Sequence, residues 1–341
     1  MLKYVSRRVG VGLLQLLALT IAVFFIIRLL PADPVARLVG MNASPEAYAQ
    51  AEQQLGLHRP LLTQLGVYLG FDPEIAPGLI QASLGVSWVT GEPVLKEIGT
   101  FLPVTLQLVT LAFVFAFVLS VPIGMAGALN PGGGADKGVF VYSLFAGSQP
   151  EFWWGLLLIY LCFFQWGIAP APLGLLSPLT SAPEPITGFL LVDAVLRGRF
   201  DVLHEALSHL VLPVICLSFV VSGPIIKMIR QNMMRALQSD FILYGRSIGL
   251  PKKRIGRYAL RAAMAPSMTI IGILYGFMLS GAVLIESVFS LNGIGQYAIR
   301  SVLNFDYPAI QGVVLVIAAV SLVIYLLLDL IQAAIDPRIV Y

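Results

Sequence analysis

Glu151 and Glu286 lie inside long apolar runs, in "SQPEFWWGL" and "GAVLIESVF". A carboxylate at membrane depth is costly and marks a functional site by default. Glu151 follows Pro150 and Gln149, so it reads as the cap of a broken helix or the lining of a polar path. Gln149, Glu151 and Glu286 are the candidate path residues. Asp329, near the end of the last apolar run, reads as a water-boundary residue. The histidines are His58, His204 and His209. "HEALSH" resembles HExxH with one residue too many; in a helix, positions i and i+5 lie about 140° apart, so no zinc-binding face results. Cys162 and Cys216 sit in apolar runs and read as small buried hydrophobes, outside any CxxC or disulfide pattern. "NPGGGADKG" (residues 130–138) is glycine-rich but falls between two apolar runs, where a tight turn is expected. The sequence has no GxSxG and no Walker A lysine motif. The expectation is no catalytic residue, no metal site and no cofactor held by this chain.

These residues sit in a chain composed for lipid. Of its 341 residues 58% are hydrophobic and 11% charged, against about a quarter charged in soluble domains. A net charge of +3 is small, and nucleic acid is not an expected partner, whereas membrane lipid is. A crossing takes about 20 mostly apolar residues. Six stretches qualify, at roughly 9–30, 101–129, 139–167, 207–228, 267–289 and 309–331. The first follows "MLKYVSRRVG". Its apolar run is longer than a signal-peptide core and no A-x-A site follows it, so it reads as a retained crossing.

Lys and Arg near crossing ends set orientation. About two thirds of the 21 fall on alternate connections, from Lys3, Arg7 and Arg8 through Lys137 and Arg230 to Arg338, while acidic residues gather on the other side. The expected fold is an all-α polytopic membrane protein with six transmembrane helices, both termini inside (N-in/C-in), and outer cap segments. Residues 1–30 form the inner terminus and first crossing, 31–100 an outer cap, and 101–341 the membrane core with a second outer loop at 166–206. In the first cap, Ser44 precedes Pro45 and Glu46 as an N-cap, and an apolar helical pattern runs to Leu55 and stops at Gly56.

The inner connection at residues 230–266 has a layout of its own. "RQNMMRALQSD" continues the fourth crossing. "FILYGRSIGLP" is short and apolar on one side through Phe241, Ile242, Tyr244 and Ile248, and stops at Gly249 and Pro251. "KKRIGRYALRAAMAP" is a second basic helix that re-enters the membrane at Pro266. A short amphipathic helix with a basic rim can rest on lipid headgroups or fill a groove on a soluble partner.

Five segments, in order along nearly the whole chain, resemble the permease subunits of the dipeptide/oligopeptide/nickel family of ABC importers. They are "LPADPVARLVG" with "QLGLHRPLLTQ", "SLGVSWVTGEPVLKEIGTFLPVTLQL", "DFILYGRSIGLPKKRIGRYALRAAMAP", "GAVLIESVFSLNGIGQYAIRSVLNFDYPAIQGVVL" and "LLLDLIQAAIDPRI". The resemblance implies a type I importer fold in a bacterial inner membrane, with the caps on the periplasmic side. It implies that the inner connection is a coupling helix docked on an ATPase. Asp240, Gly245, Arg246, Gly249 and Leu250 would be its contact and turn residues, with Tyr244 and Arg254 beside them. Tyr244, Gly245 and Ile248 stand where the family tends to have Thr, Ala and Lys, and Asn292 where it has Pro. The implied partners are a second homologous permease subunit, two ATPase subunits that carry ATP and Mg, and a periplasmic substrate-binding protein. The implied cargo is a peptide or a related small solute. The alternative reading is a proton-driven secondary transporter with Glu151 as relay.

Overall fold

The computed structural model describes residues 2–40 and 42–335; Arg338, counted above among the inner cations, lies outside them. The described residues form helices and connecting turns, with no β-strand among them. In chain order the helices are α1 (Leu2–Leu29), α2 (Pro34–Val39), α3 (Pro45–Gln54), α4 (Leu61–Leu69), α5 (Val94–Leu129), α6 (Gly134–Ala146), α7 (Glu151–Leu158), α8 (Leu190–Leu196), α9 (Phe200–Leu237), α10 (Asp240–Ser247), α11 (Lys252–Phe289), α12 (Ile294–Leu303) and α13 (Tyr307–Ile335). Five of them, α1, α5, α9, α11 and α13, are long and apolar enough to cross a membrane.

The expected third crossing, residues 139–167, is not one helix. It divides into α6, a break at residues 147–150, and α7, which continues as a π-helical segment Ile159–Gln165. Pro150 has no N–H to carry a helix onward and disfavours helical geometry at Gln149 before it. Each piece is about 20 Å long at 1.5 Å per residue, short of the roughly 30 Å hydrocarbon core. At Pro266 no such break occurs: α11 runs through it without interruption. Ser267 Oγ donates to Ala263 O at 2.7 Å and accepts from Asn232 Nδ2 of α9 at 3.0 Å.

The chain forms two compact units. Among the described residues, one comprises residues 2–40, 42–102 and 293–323. Its core gathers Leu84, Val94, Ile98, Ile294, Tyr297, Ala309 and Val313. Asp306, 2% exposed, accepts from Ser87 Oγ, Trp88 N and Ala309 N and so ties the 79–93 connection to the start of α13. Gly312 stands so close to Val94 that a β-carbon there would lie 2.6 Å from its Cγ1. Ser44 caps α3 as the sequence predicts, accepting from Ala47 N.

Among the described residues, the second unit comprises residues 103–292 and 324–335. Here α9 and α11 pack along one another, α6 and α7 lean on α9, and α8 lies against α9 near its start. Leu108, Ala112, Leu217, Ile225, Met278, Ala282 and Ile285 fill the centre. The "NPGGGADKG" stretch turns at residues 130–133 and then opens α6. Gly132 adopts φ +75° and donates to Asp136 Oδ2, and Asp136 also takes a two-bond grip from Arg230 of α9. The loop at 166–206 is fixed by two carboxylates. Glu205 accepts from Ser177 N and Thr180 Oγ1, both at 2.7 Å, and Asp193 accepts from Thr187 N, Thr187 Oγ1 and Gly188 N.

Candidate functional site

Helix α10 is a short hairpin element between α9 and α11. Asp240 sits in its first turn, where a negative charge complements the helix dipole. Its other end closes with the two bonds of a Schellman turn: Gly249 N donates to Arg246 O and Leu250 N to Gly245 O, each at 3.0 Å. The turn requires φ > 0 at Gly249, which adopts +78°. Pro251 then fixes the entry into α11.

One face of α10 is anchored. Ile242 is 1% exposed and packs with Ala128, Met233, Ile255, Ala259 and Ala263, with Leu250 alongside. The other face is open. Phe241, Tyr244 and Ile248 are 52%, 67% and 56% exposed, although each is large and apolar. Their spacing of three and four residues puts them on one side of the helix. The sequence-based grouping of these three with Ile242 is therefore corrected: Ile242 faces inward and the rest outward, because Ile242 lies about 100° around the helix from Phe241. Arg246 near the end of α10 and Lys252, Lys253 and Arg254 in the first turn of α11 are also exposed. An exposed apolar patch with a polar rim is the mark of an interaction surface.

Deeper in the same unit, Glu151 is 8% exposed at the start of α7, and its Oε1 has no hydrogen-bond partner. It occupies room that only a glycine leaves: a β-carbon on Gly281 of α11 would stand 2.9 Å from that oxygen. Trp154, one turn along α7, has an indole nitrogen that is also buried and unpartnered. Glu286 is fully buried and accepts from Thr105 Oγ1 of α5. Glu286 is five residues from Gly281, about 140° around α11, so the two carboxylates address different helix faces. Gln149 lies exposed in the break before α7. Of the coupling candidates, Asp240, Tyr244, Gly245 and Arg246 lie on α10, Gly249 and Leu250 in the turn after it and Arg254 in the first turn of α11, while the path candidates do not form one cluster. The sequence reading missed Trp154, Gly281 and Thr105. Only Trp154 left a signal, its helical spacing of three from Glu151.

Among the described residues, no group of three or more His, Cys, Asp or Glu could hold a metal ion. His204 and His209 share α9 with Glu205, whose oxygens are taken by the loop.

Residues 120–341 match the family described as binding-protein-dependent transport system inner membrane component, and residues 1–109 match the N-terminal segment described for such membrane components. The chain is 34% identical over 343 residues to the dipeptide transport system permease protein DppB of Escherichia coli K12, with 99% of each chain covered. It is 36% identical over 341 residues to the di/tripeptide transport system permease protein DppB of Pseudomonas aeruginosa, again with 99% of each covered. It is 37% identical over 330 residues to the probable D,D-dipeptide transport system permease protein DdpB of Escherichia coli K12, with 96% and 95% covered. With its five long apolar helices, the chain belongs to the family of binding-protein-dependent transport system inner membrane components, and is a multi-pass bacterial inner-membrane permease subunit of an ABC importer.

Proposed function

We propose that this permease subunit forms half of a translocation path for di- or short peptides, and that α10 is where ATPase subunits grip it. The observation that carries the reading is the split character of α10, anchored through Ile242 while Phe241, Tyr244 and Ile248 stand open and Arg246 on the same helix is exposed. A second, similar permease chain completes the path. Two ATPase subunits holding ATP and Mg dock at the α10 end, which is cytoplasmic, and a periplasmic binding protein delivers solute at the other. The chain itself performs no catalysis. The peptide cargo follows from the names of three relatives at 34–37% identity.

The energetics of this arrangement are those of linkage. A bound nucleotide moves the membrane bundle only as far as its affinity differs between two states of the ATPase pair. That difference reaches the bundle through whatever the ATPases hold. Asp240, Tyr244 and Arg246 on α10, with Arg254 in the first turn of α11, supply contacts. Gly245, Gly249 and Leu250 keep the turn that makes α10 and α11 move together. Glu151, Gln149 and Glu286 are the polar groups of the path side, with Glu151 the one whose oxygen is unclaimed.

The test is reconstitution of the chain with its partner subunits in proteoliposomes, followed by ATP-dependent uptake of labelled dialanine. Uptake that needs ATP and stops with Arg246→Glu agrees with the reading. Uptake that survives ATP depletion, or Arg246→Glu and Gly249→Pro variants that assemble and transport normally, would sink it.

A further inference from the structure

A groove of about 850 Å³ runs along the second unit between α6 and α9. Its walls are two helical stripes. Lys137, Phe140, Val141 and Leu144 follow at helical spacing on α6, and Gly223, Pro224, Lys227 and Arg230 do so on α9. Two contacts set the register of the walls. At the end where α6 begins, Arg230 grips Asp136. Deeper in, Ser143 Oγ donates to Gly223 O at 3.5 Å, and a β-carbon on Gly223 would stand 3.3 Å from that of Ala146. Lys227 falls between these two contacts in sequence, and Lys137 adjoins the first.

The groove is apolar along α6 and cationic towards one end. Phe140, Val141 and Leu144 are 68%, 62% and 68% exposed, which suits a wall that meets hydrocarbon. Lys137 and Lys227 are exposed too, and neither has an ion pair among the described residues. Arg230 differs, because its charge is met by Asp136. Two uncompensated ammonium groups on one groove repel each other and favour an anion between them. The chain has little to offer them. Its inner connections at 130–138 and 230–266 hold two acidic residues, Asp136, already taken, and Asp240, on α10. A second permease chain of the same plan would be as poor in acid at that end. A peptide would leave its amide groups facing Phe140, Val141 and Leu144 without partners, which is costly. Basic pockets between transmembrane helices on the cytoplasmic side suit anionic headgroups.

We propose that this groove holds one anionic phospholipid of the inner leaflet, its phosphate between Lys137 and Lys227 and an acyl chain along Phe140, Val141 and Leu144. Long lysine stems let ammonium groups meet a phosphate while their methylenes cover apolar wall. The choice of leaflet rests on the orientation given above, and the site is independent of the cargo.

The assembled complex, extracted in detergent and stripped of lipid, is titrated by native mass spectrometry with phosphatidylglycerol, phosphatidylethanolamine and glycerol phosphate. One phosphatidylglycerol is expected to bind at this chain ahead of phosphatidylethanolamine, and glycerol phosphate, which has no chains, should not displace it. Lys137→Gln and Lys227→Gln should each weaken binding about fivefold, the worth of one cation beside an anionic surface, and the double variant about twentyfold or more. Lys137→Arg and Lys227→Arg should keep it. Arg235→Gln, which removes an exposed cation of α9 outside the groove, should change nothing. A melting curve on each variant separates lost binding from lost folding. In the assembled complex, a photoreactive Phe140→benzoylphenylalanine variant should label lipid. The proposal is overturned if phosphatidylethanolamine binds as well as phosphatidylglycerol, if glycerol phosphate displaces the lipid, or if the folded double variant binds normally. It is also overturned if Arg235→Gln weakens binding as much as the lysine variants, which would reduce the effect to the general charge of the inner side. Labelling of the second permease chain in place of lipid would give the groove to that chain, and displacement of the lipid by dialanine would give it to the peptide path; either result overturns the proposal.

Discussion

The Leu250 amide donates to the Gly245 carbonyl at 3.0 Å, and the Leu250 side chain comes within 3.2 Å of where a β-carbon on Gly245 would stand. This pair closes the turn between α10 and α11. It brings an apolar side chain back over the helix it ends, the hydrophobic contact that accompanies such turns. The geometry leaves Gly249 no choice of backbone region and Gly245 little room.

Gly249→Ala is expected to cost about 1–2 kcal/mol at this turn, the penalty of a left-handed conformation for a residue with a β-carbon. The chain should still insert and accumulate. Co-purification of ATPase subunits and ATP-dependent uptake should both fall. Wild-type coupling in Gly249→Ala and Gly249→Val together would remove the turn from the coupling element.

Ile242→Ala and Tyr244→Ala should separate packing from docking. The first removes a fully buried side chain and is expected to destabilise by about 2–5 kcal/mol, read as a lowered melting temperature. The second removes a side chain that is 67% exposed and should leave melting unchanged while weakening ATPase binding about tenfold or more, as a central interface aromatic does. Equal effects of both variants on melting, with none on ATPase binding, would place the docking surface elsewhere.

Glu151→Leu should leave stability unchanged or raise it by up to about 1–3 kcal/mol, because it removes a buried oxygen with no partner. Uptake should drop if that oxygen serves the path. Gly281→Ala should act on the same group from outside, since its β-carbon would meet Glu151 Oε1 at 2.9 Å. Normal uptake in both variants assigns Glu151 to packing alone.

The 187–193 loop should loosen in acid. Burial, the largest influence on the Asp193 carboxyl, pushes its pKa up, but the hydrogen bonds from Thr187, Ile186 and Gly188 together outweigh it, and the net shift is downward. A carboxyl lowered on folding adds stability above its unfolded value, near 3.9, and loses it as pH falls through the lower folded value. Amide exchange at Thr187 and Gly188, corrected for intrinsic rates, should therefore be flat above about pH 5 and rise below about pH 4. Asp193→Asn should abolish that rise.

Periodicity and turn chemistry made part of this legible. The Ser44 cap, the Gly56 stop and the α10 boundaries follow from residues whose effect is local, so the sequence carries them. Other features depend on what lies across a helix pair. Pro150 breaks the third apolar run while Pro266 leaves α11 whole, a difference that the prolines themselves do not announce. Asp306 looks like an ordinary acidic residue in "NFDYPAI", yet it is 2% exposed because Ser87 and Trp88, more than two hundred residues earlier, donate to it. The inward turn of Ile242 was hidden because its three apolar neighbours gave the same pattern to the opposite face. Arg28 drew no reading from the sequence, since its partners Gln64 and Tyr307 are brought to it by tertiary structure.

The unbroken length of α11 sets a mechanical ratio. At 1.5 Å per residue its 38 residues make a rod of about 57 Å. Its first turn follows the α10 hairpin directly, and Glu286 lies in its last. A rod of that length tilted by about ten degrees around its middle carries each end through about 5 Å, in opposite directions. A modest rotation imposed at the basic end therefore becomes an ångström-scale gap at the far end, with no need for the helix to bend or for any bond along it to break.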